Sequence, residues 1–133
     1  MKKGFTLNKF LLILILIFNT SLFAGNVPNK DMLYDKVYRT DRIADGYYFF
    51  LLSKNGKYYY LQTNKVSTIT ASELKSPKIL DNLKEKQSWG QAFSSRGYFT
   101  KDKGKLYTKK YWDEIKVISK KKIKYLNKIY KLQ

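Results

Sequence analysis

The chain has no cysteine and no histidine. Without cysteine there is no disulfide, no thiolate nucleophile, no thiolate metal site and no lipid-modified N-terminal cysteine. A folded domain must then be held by its apolar core alone. Without histidine, the commonest general base near neutral pH and the commonest transition-metal ligand are both missing. Acids are scarce: ten Asp and Glu stand against 27 Lys and Arg, a net charge of +17. No apolar run approaches the roughly 20 residues that a bilayer-spanning helix needs.

The longest apolar run is FLLILILIF, nine residues from Phe10 to Phe18. Lys2, Lys3 and Lys9 precede it, Asn19-Thr20-Ser21 interrupt it, and Ala24-Gly25 follow. A positive start, a short apolar core and a small residue at the exit describe a secretory signal, with cleavage expected after Ala24. GFTL (residues 4–7) resembles the start of type IV prepilins, a family with a Glu five residues after the cut. Here that position is Lys9, and the apolar stretch stops at Phe18. A retained membrane anchor is the less favoured alternative. The expected organisation is a signal segment over 1–24 and one domain over 25–133, exported to the periplasm or the exterior. Three lysines and no acid lie in residues 1–24, so the remainder carries 24 basic residues against 10 acidic ones. Such a surface attracts polyanions.

Residues 25–32 read as a loose leader. Alternation then predicts a strand over 33–40, aromatic and aliphatic runs flanking a turn predict strands over 46–53 and 57–63, and a short β-branched run predicts one over 66–70. KNGK between the second and third places Asn55-Gly56 at the two positive-φ positions of a type I′ hairpin turn. Ile79, Leu80 and Leu83 repeat at helical spacing behind Ser76 and Pro77, which predicts one short helix over about 77–87. Further strands are expected over 94–101, 105–110, 111–119 and 122–132. DKG is expected as a three-residue loop between the first two of these, with Gly104 at the left-handed position, and SKK joins the last two. For 122–132 a helical stripe is the alternative to a strand with a bulge near Asn127. The fold class is mainly β: a single antiparallel barrel or curled meander of about eight strands, with the helix inserted between the fourth and fifth. Eight strands close into a barrel filled by side chains or holding one small ligand.

YYFFLLSKNGKYYYLQT, a helix-bearing insert, SRGYFTKDKGKLYTKK and a paired C-terminal hairpin follow one another in this order. The arrangement resembles small bacterial lipocalin-like, calycin-type exported domains, over about residues 33–132. The tryptophans stand at 89 and 112, and no GxW occurs near the N-terminus. The resemblance implies an exported, non-enzymatic binding protein for an apolar or amphipathic ligand.

The residues themselves point the same way. Asp113 and Glu114 are adjacent, so on a strand they face opposite sides and cannot work as a catalytic pair. Serines lack the context of a nucleophile, and Asp41 to Asp45 lacks the ligand spacing of a calcium loop. No catalytic residue, metal site or cofactor is expected. The aromatic hairpin and its neighbours, Tyr48, Phe50, Tyr58, Tyr60, Trp89 and Phe93, are the candidate ligand-binding residues. Rigid amphipathic rings offer contact area at low entropic cost. Lysine interleaved with tyrosine makes Lys105, Lys109, Lys110, Lys122, Lys124 and Lys128 candidates for contact with an anionic envelope polymer or lipid. An immunity- or inhibitor-type protein meeting an acidic protein partner is the alternative function. Export argues against nucleic acid as a physiological partner.

Overall fold

Alternation and tight turns produce what they predict, a closed barrel. The computed structural model describes residues 33–133. The predicted signal segment and the leader at 25–32 lie outside the described residues. Eight antiparallel strands run in chain order around the barrel: β1 (Tyr38–Arg39), β2 (Tyr47–Leu52), β3 (Lys57–Thr63), β4 (Ala92–Asp102), β5 (Lys105–Thr108), β6 (Glu114–Ser119), β7 (Lys122–Tyr125) and β8 (Lys128–Leu132). β1 has two residues, yet it closes the ring, pairing Tyr38 with both Phe50 and Leu132.

Several boundaries differ from expectation. The segment 66–70 is not a strand. Ile69 is buried, and Thr70 caps a helix that the alternation pattern hides, α1 (Ala71–Lys75). The sequence signal was TASE: Thr70 and Glu73 form a capping box in which each satisfies the other's backbone N–H. The expected helix is present as α2 (Ile79–Lys86). Ser76 stands one turn before it, its hydroxyl accepting from Lys78 N at 3.1 Å. The helical insert therefore lies between β3 and β4. Segment 122–132 is two strands, β7 and β8, joined by Leu126-Asn127, whose φ values of 49° and 63° make a two-residue turn.

The hairpin turns exchange types. Asn55 is not at positive φ; only Gly56 is, at 87°, with Gly56 N donating to Ser53 O at 3.1 Å. The β2–β3 connection is therefore a turn over Ser53–Gly56 with one left-handed residue, not type I′. Conversely, Lys103 and Gly104 both have positive φ (51° and 81°), so the β4–β5 turn is the two-residue one. A Cβ on Gly56 would meet nothing within 4 Å, so its demand is one of backbone conformation alone. Gly56→Val is expected to lower the unfolding free energy by about 1–2 kcal/mol, the cost of a left-handed L-residue. An unchanged denaturation midpoint would show that the turn does not depend on that conformation.

Both faces of the aromatic hairpin are used. Inside, Tyr38, Phe50, Leu52, Tyr58, Leu106, Ile115, Val117, Ile123, Tyr125 and Tyr130 fill the barrel. Outside, Phe49, Leu51, Tyr59 and Leu61 would be solvent-exposed, but Leu74 of α1 and Ile79 and Leu83 of α2 cover them. Three polar side chains pin the insert in place. Arg96 donates to Ser76 O at 2.7 Å and lies over the Tyr59 ring, Arg39 donates to Ser67 O at 2.8 Å, and the Gln133 amide bonds both N and O of Ile69. The insert is thus a sheath over one wall of the barrel.

Candidate functional site: an aromatic mouth

An up-and-down barrel sends alternate connections to opposite ends. One end carries the β1–β2 loop, the helical insert, the β5–β6 loop and the Leu126-Asn127 turn. The other carries the three tight hairpins at 53–56, 103–104 and 120–121.

The loop-bearing end is the mouth. Inward residues alternate along each strand, so Tyr48 of β2 and Tyr60 of β3 project toward it, with ring centroids 6.1 Å apart. Tyr60 also meets Tyr125 (6.3 Å) and, edge-on, Phe93 (6.3 Å). The two-residue turn at 126–127 pairs Lys128 with Tyr125, which places both on the inward side. The Lys128 ammonium sits 4.7 Å from the centre of the Tyr48 ring, a cation–π contact. Lys128 therefore does not continue an outward stripe with Lys122 and Lys124, as strict alternation through 127 would suggest. A turn of two positive-φ residues resets the face.

Beside this cluster is a recess of about 230 Å³, partly open to solvent. Tyr48, Phe93, Gln62 and Asn64 line it, and Ile43 and Ala44 of the β1–β2 loop overhang it. Thr63 fixes its floor, donating to Gln91 O at 2.8 Å and accepting from Lys65 N.

The phenols here are in a low-dielectric, crowded setting. Burial first, and the neighbouring Tyr48 second, push the Tyr60 hydroxyl up to about 12. Tyr125 is raised further, mainly by burial and then by Tyr58, Asp113 and Tyr60. Tyr130 is raised most, by burial and then by Tyr60, Tyr125 and Tyr48. All three stay protonated across the physiological range. The Tyr130 hydroxyl is buried and has no hydrogen-bond partner among the described residues. Leaving such a group unpaired costs about 1–3 kcal/mol.

The six candidate ligand-binding residues divide. Tyr48, Tyr60 and Phe93 are gathered at the mouth. Phe50 and Tyr58 face the same interior but are buried below it, and Tyr58 leans on Gly97, where a Cβ would come within 2.9 Å of its ring. Trp89 is 62% exposed and does not line the recess; its carbonyl accepts from Lys65 Nζ at 2.9 Å. The candidate lysines divide as well. Lys109, Lys110 and Lys128 lie at the mouth end, Lys105 and Lys122 at the hairpin end, and Lys124 on the outer wall opposite Lys116. Sequence reasoning missed Tyr125 and Tyr130 as members of the cluster, because their register depended on the turn at 126–127.

The protein is thus a calycin-like barrel: eight strands, closed, antiparallel, with a short helical segment among the strands and an aromatic cluster at one end. Comparison with family models, with curated proteins and with solved structures yields no match in any of the three.

Proposed function

We propose that this protein is an exported, non-enzymatic binding protein that takes a small amphipathic ligand with an anionic head at the barrel mouth. The observation that carries the reading is the Lys128 ammonium, held 4.7 Å over the Tyr48 ring at an opening edged by Tyr60 and Phe93. A cation on an aromatic rim attracts a carboxylate, phosphate or sulfate, while the rings accept an apolar stem. The recess, at about 230 Å³, is below the range usual for drug-sized ligands, which favours a short chain or the end of a longer one. Export rests on residues 1–24, whose charge and hydropathy pattern fit a signal segment.

Titration calorimetry with octanoate tests the reading. Binding is expected, and Lys128→Met is expected to weaken it by about 10-fold or more, since a hydrogen bond to a charged group contributes about 1.5–3 kcal/mol. Equal affinity of wild type and variant, or no binding of octanoate or octyl phosphate, would overturn it. One feature favours a second reading, an inhibitor-type protein that meets an acidic protein partner. Below the mouth the barrel is filled, with Phe50 and Tyr130 fully buried at its centre.

A further inference from the structure

The end of the barrel opposite the mouth has a composition of its own. Its three hairpin connections read SKNGK (53–57), KDKGK (101–105) and SKKK (119–122). They bring together Lys54, Lys57, Lys101, Lys103, Lys105, Lys120, Lys121 and Lys122 with a single acid, Asp102. All of these lysines except Lys57 are exposed. Among the described residues, no ion pair engages Lys101, Lys103, Lys105, Lys120, Lys121 or Lys122. Lys122 lies directly opposite Lys131 across β7 and β8, a like-charge pairing that costs stability. At this end the buried Tyr38 donates its hydroxyl to Lys120 O at 2.7 Å.

We infer that this hairpin end docks on a surface of anionic lipid headgroups. Three observations favour a lipid surface over other polyanions. First, none of the three arginines, at 39, 42 and 96, falls in these turns. Arginine's planar fork serves bidentate recognition of a defined partner, whereas lysine acts as a mobile point charge suited to a diffuse, fluid anionic layer. Second, exposed apolar side chains stand among the lysines. Tyr98 is 54% exposed with Lys57 Nζ 5.6 Å from its ring centre, and Ile118 is 46% exposed. Tyrosine and lysine side by side suit the boundary between headgroups and acyl chains. Third, the described chain begins at this end. Asp35 N donates to Leu52 O at 2.7 Å beside the β2–β3 turn, and the 32 residues before Leu33 include the apolar run Phe10–Phe18. A segment retained there would join the barrel at the lysine end. A barrel seated in this way turns its mouth away from the membrane.

The test uses the protein as isolated from cells and two kinds of vesicle, phosphatidylcholine alone and phosphatidylcholine with phosphatidylglycerol. Binding is followed by co-sedimentation. The triple variant K101Q/K120Q/K121Q is compared with K78Q/K84Q/K116Q, which removes the same charge from exposed positions elsewhere. Circular dichroism checks that both variants stay folded. The expected result is binding only to the phosphatidylglycerol vesicles, weakened on the order of 100-fold in the first variant and less than about 3-fold in the second, since each basic residue near an anionic surface contributes on the order of fivefold. Equal weakening in both variants would show an effect of net charge without a docking surface, and would overturn the inference. Equal binding to both vesicles would assign attachment to the apolar segment and would also overturn it. So would tighter binding to soluble polyphosphate than to the vesicles, because the partner would then be a soluble polyanion.

Discussion

Phe50→Ala is expected to lower the unfolding free energy by about 3–5 kcal/mol, a large part of the roughly 5–15 kcal/mol typical of a domain. Phe50 is fully buried in the barrel interior. Its ring stacks on Tyr125 at 4.7 Å and Tyr58 at 5.9 Å and meets Tyr130 at 5.7 Å. Closure makes the cavity hard to fill. The wall of strands is hydrogen-bonded all the way round, so it cannot move inward on one side without breaking ladder bonds elsewhere. The surrounding rings are themselves constrained. Urea unfolding measures the effect, with Phe93→Ala as the comparison. Phe93 is 58% exposed, and its removal is expected to change stability by no more than about 0.5 kcal/mol. A loss below about 1 kcal/mol for Phe50→Ala would mean that the barrel interior is not the cohesive unit described.

The second large effect is loss of the fold in alkali. Burial pushes the hydroxyls of Tyr38 and Tyr60 up to about 12, and raises Tyr125 and Tyr130 further. In the unfolded chain a phenol ionises near 10. Between these limits the folded state holds protons that the unfolded state has released, so stability falls as pH rises. The contribution is fully present below pH about 10 and is lost as pH passes through about 12. The expected observation is that part of the phenolate absorbance appears in the same cooperative step as loss of the β-type circular dichroism. Absorbance that rises fully before the fold is lost would place these hydroxyls in contact with solvent.

The sequence was most legible where a pattern is local. The aromatic and aliphatic runs YYFFLL and KYYYLQT on either side of a Gly-containing turn located β2 and β3, and the spacing of Ile79 and Leu83 located α2. The absence of cysteine and histidine narrowed the chemistry by composition alone. It was less legible where one residue decides between two geometries. Asn55-Gly56 looks like a type I′ turn, but Ser53 and Lys57 share the hydrogen bond that closes the loop, and Asn55 instead lends its side-chain oxygen to Lys57 N at 3.2 Å. VSTIT has the β-branched content of a strand. Thr70 and Glu73 nevertheless form a capping box, and burial of Ile69 under the insert outweighs β propensity.

The amino-acid order alone determined that the chain would form a mainly antiparallel barrel without thiol or imidazole chemistry, because strand period, turn residues and composition act over a few neighbours. It also determined that twice as many ring-bearing faces would exist on the central hairpin as a barrel interior can take. Only the tertiary structure decided which face went where. The helical insert covers Phe49, Leu51, Tyr59 and Leu61, while Tyr48, Phe50, Tyr58 and Tyr60 turn inward. Only the tertiary structure split the lysines between two ends and placed Lys128 over Tyr48. Those outcomes depend on strand register and on closure between β1 and β8, which are fixed by contacts between residues far apart in the chain, such as Tyr38 and Leu132, 94 positions apart.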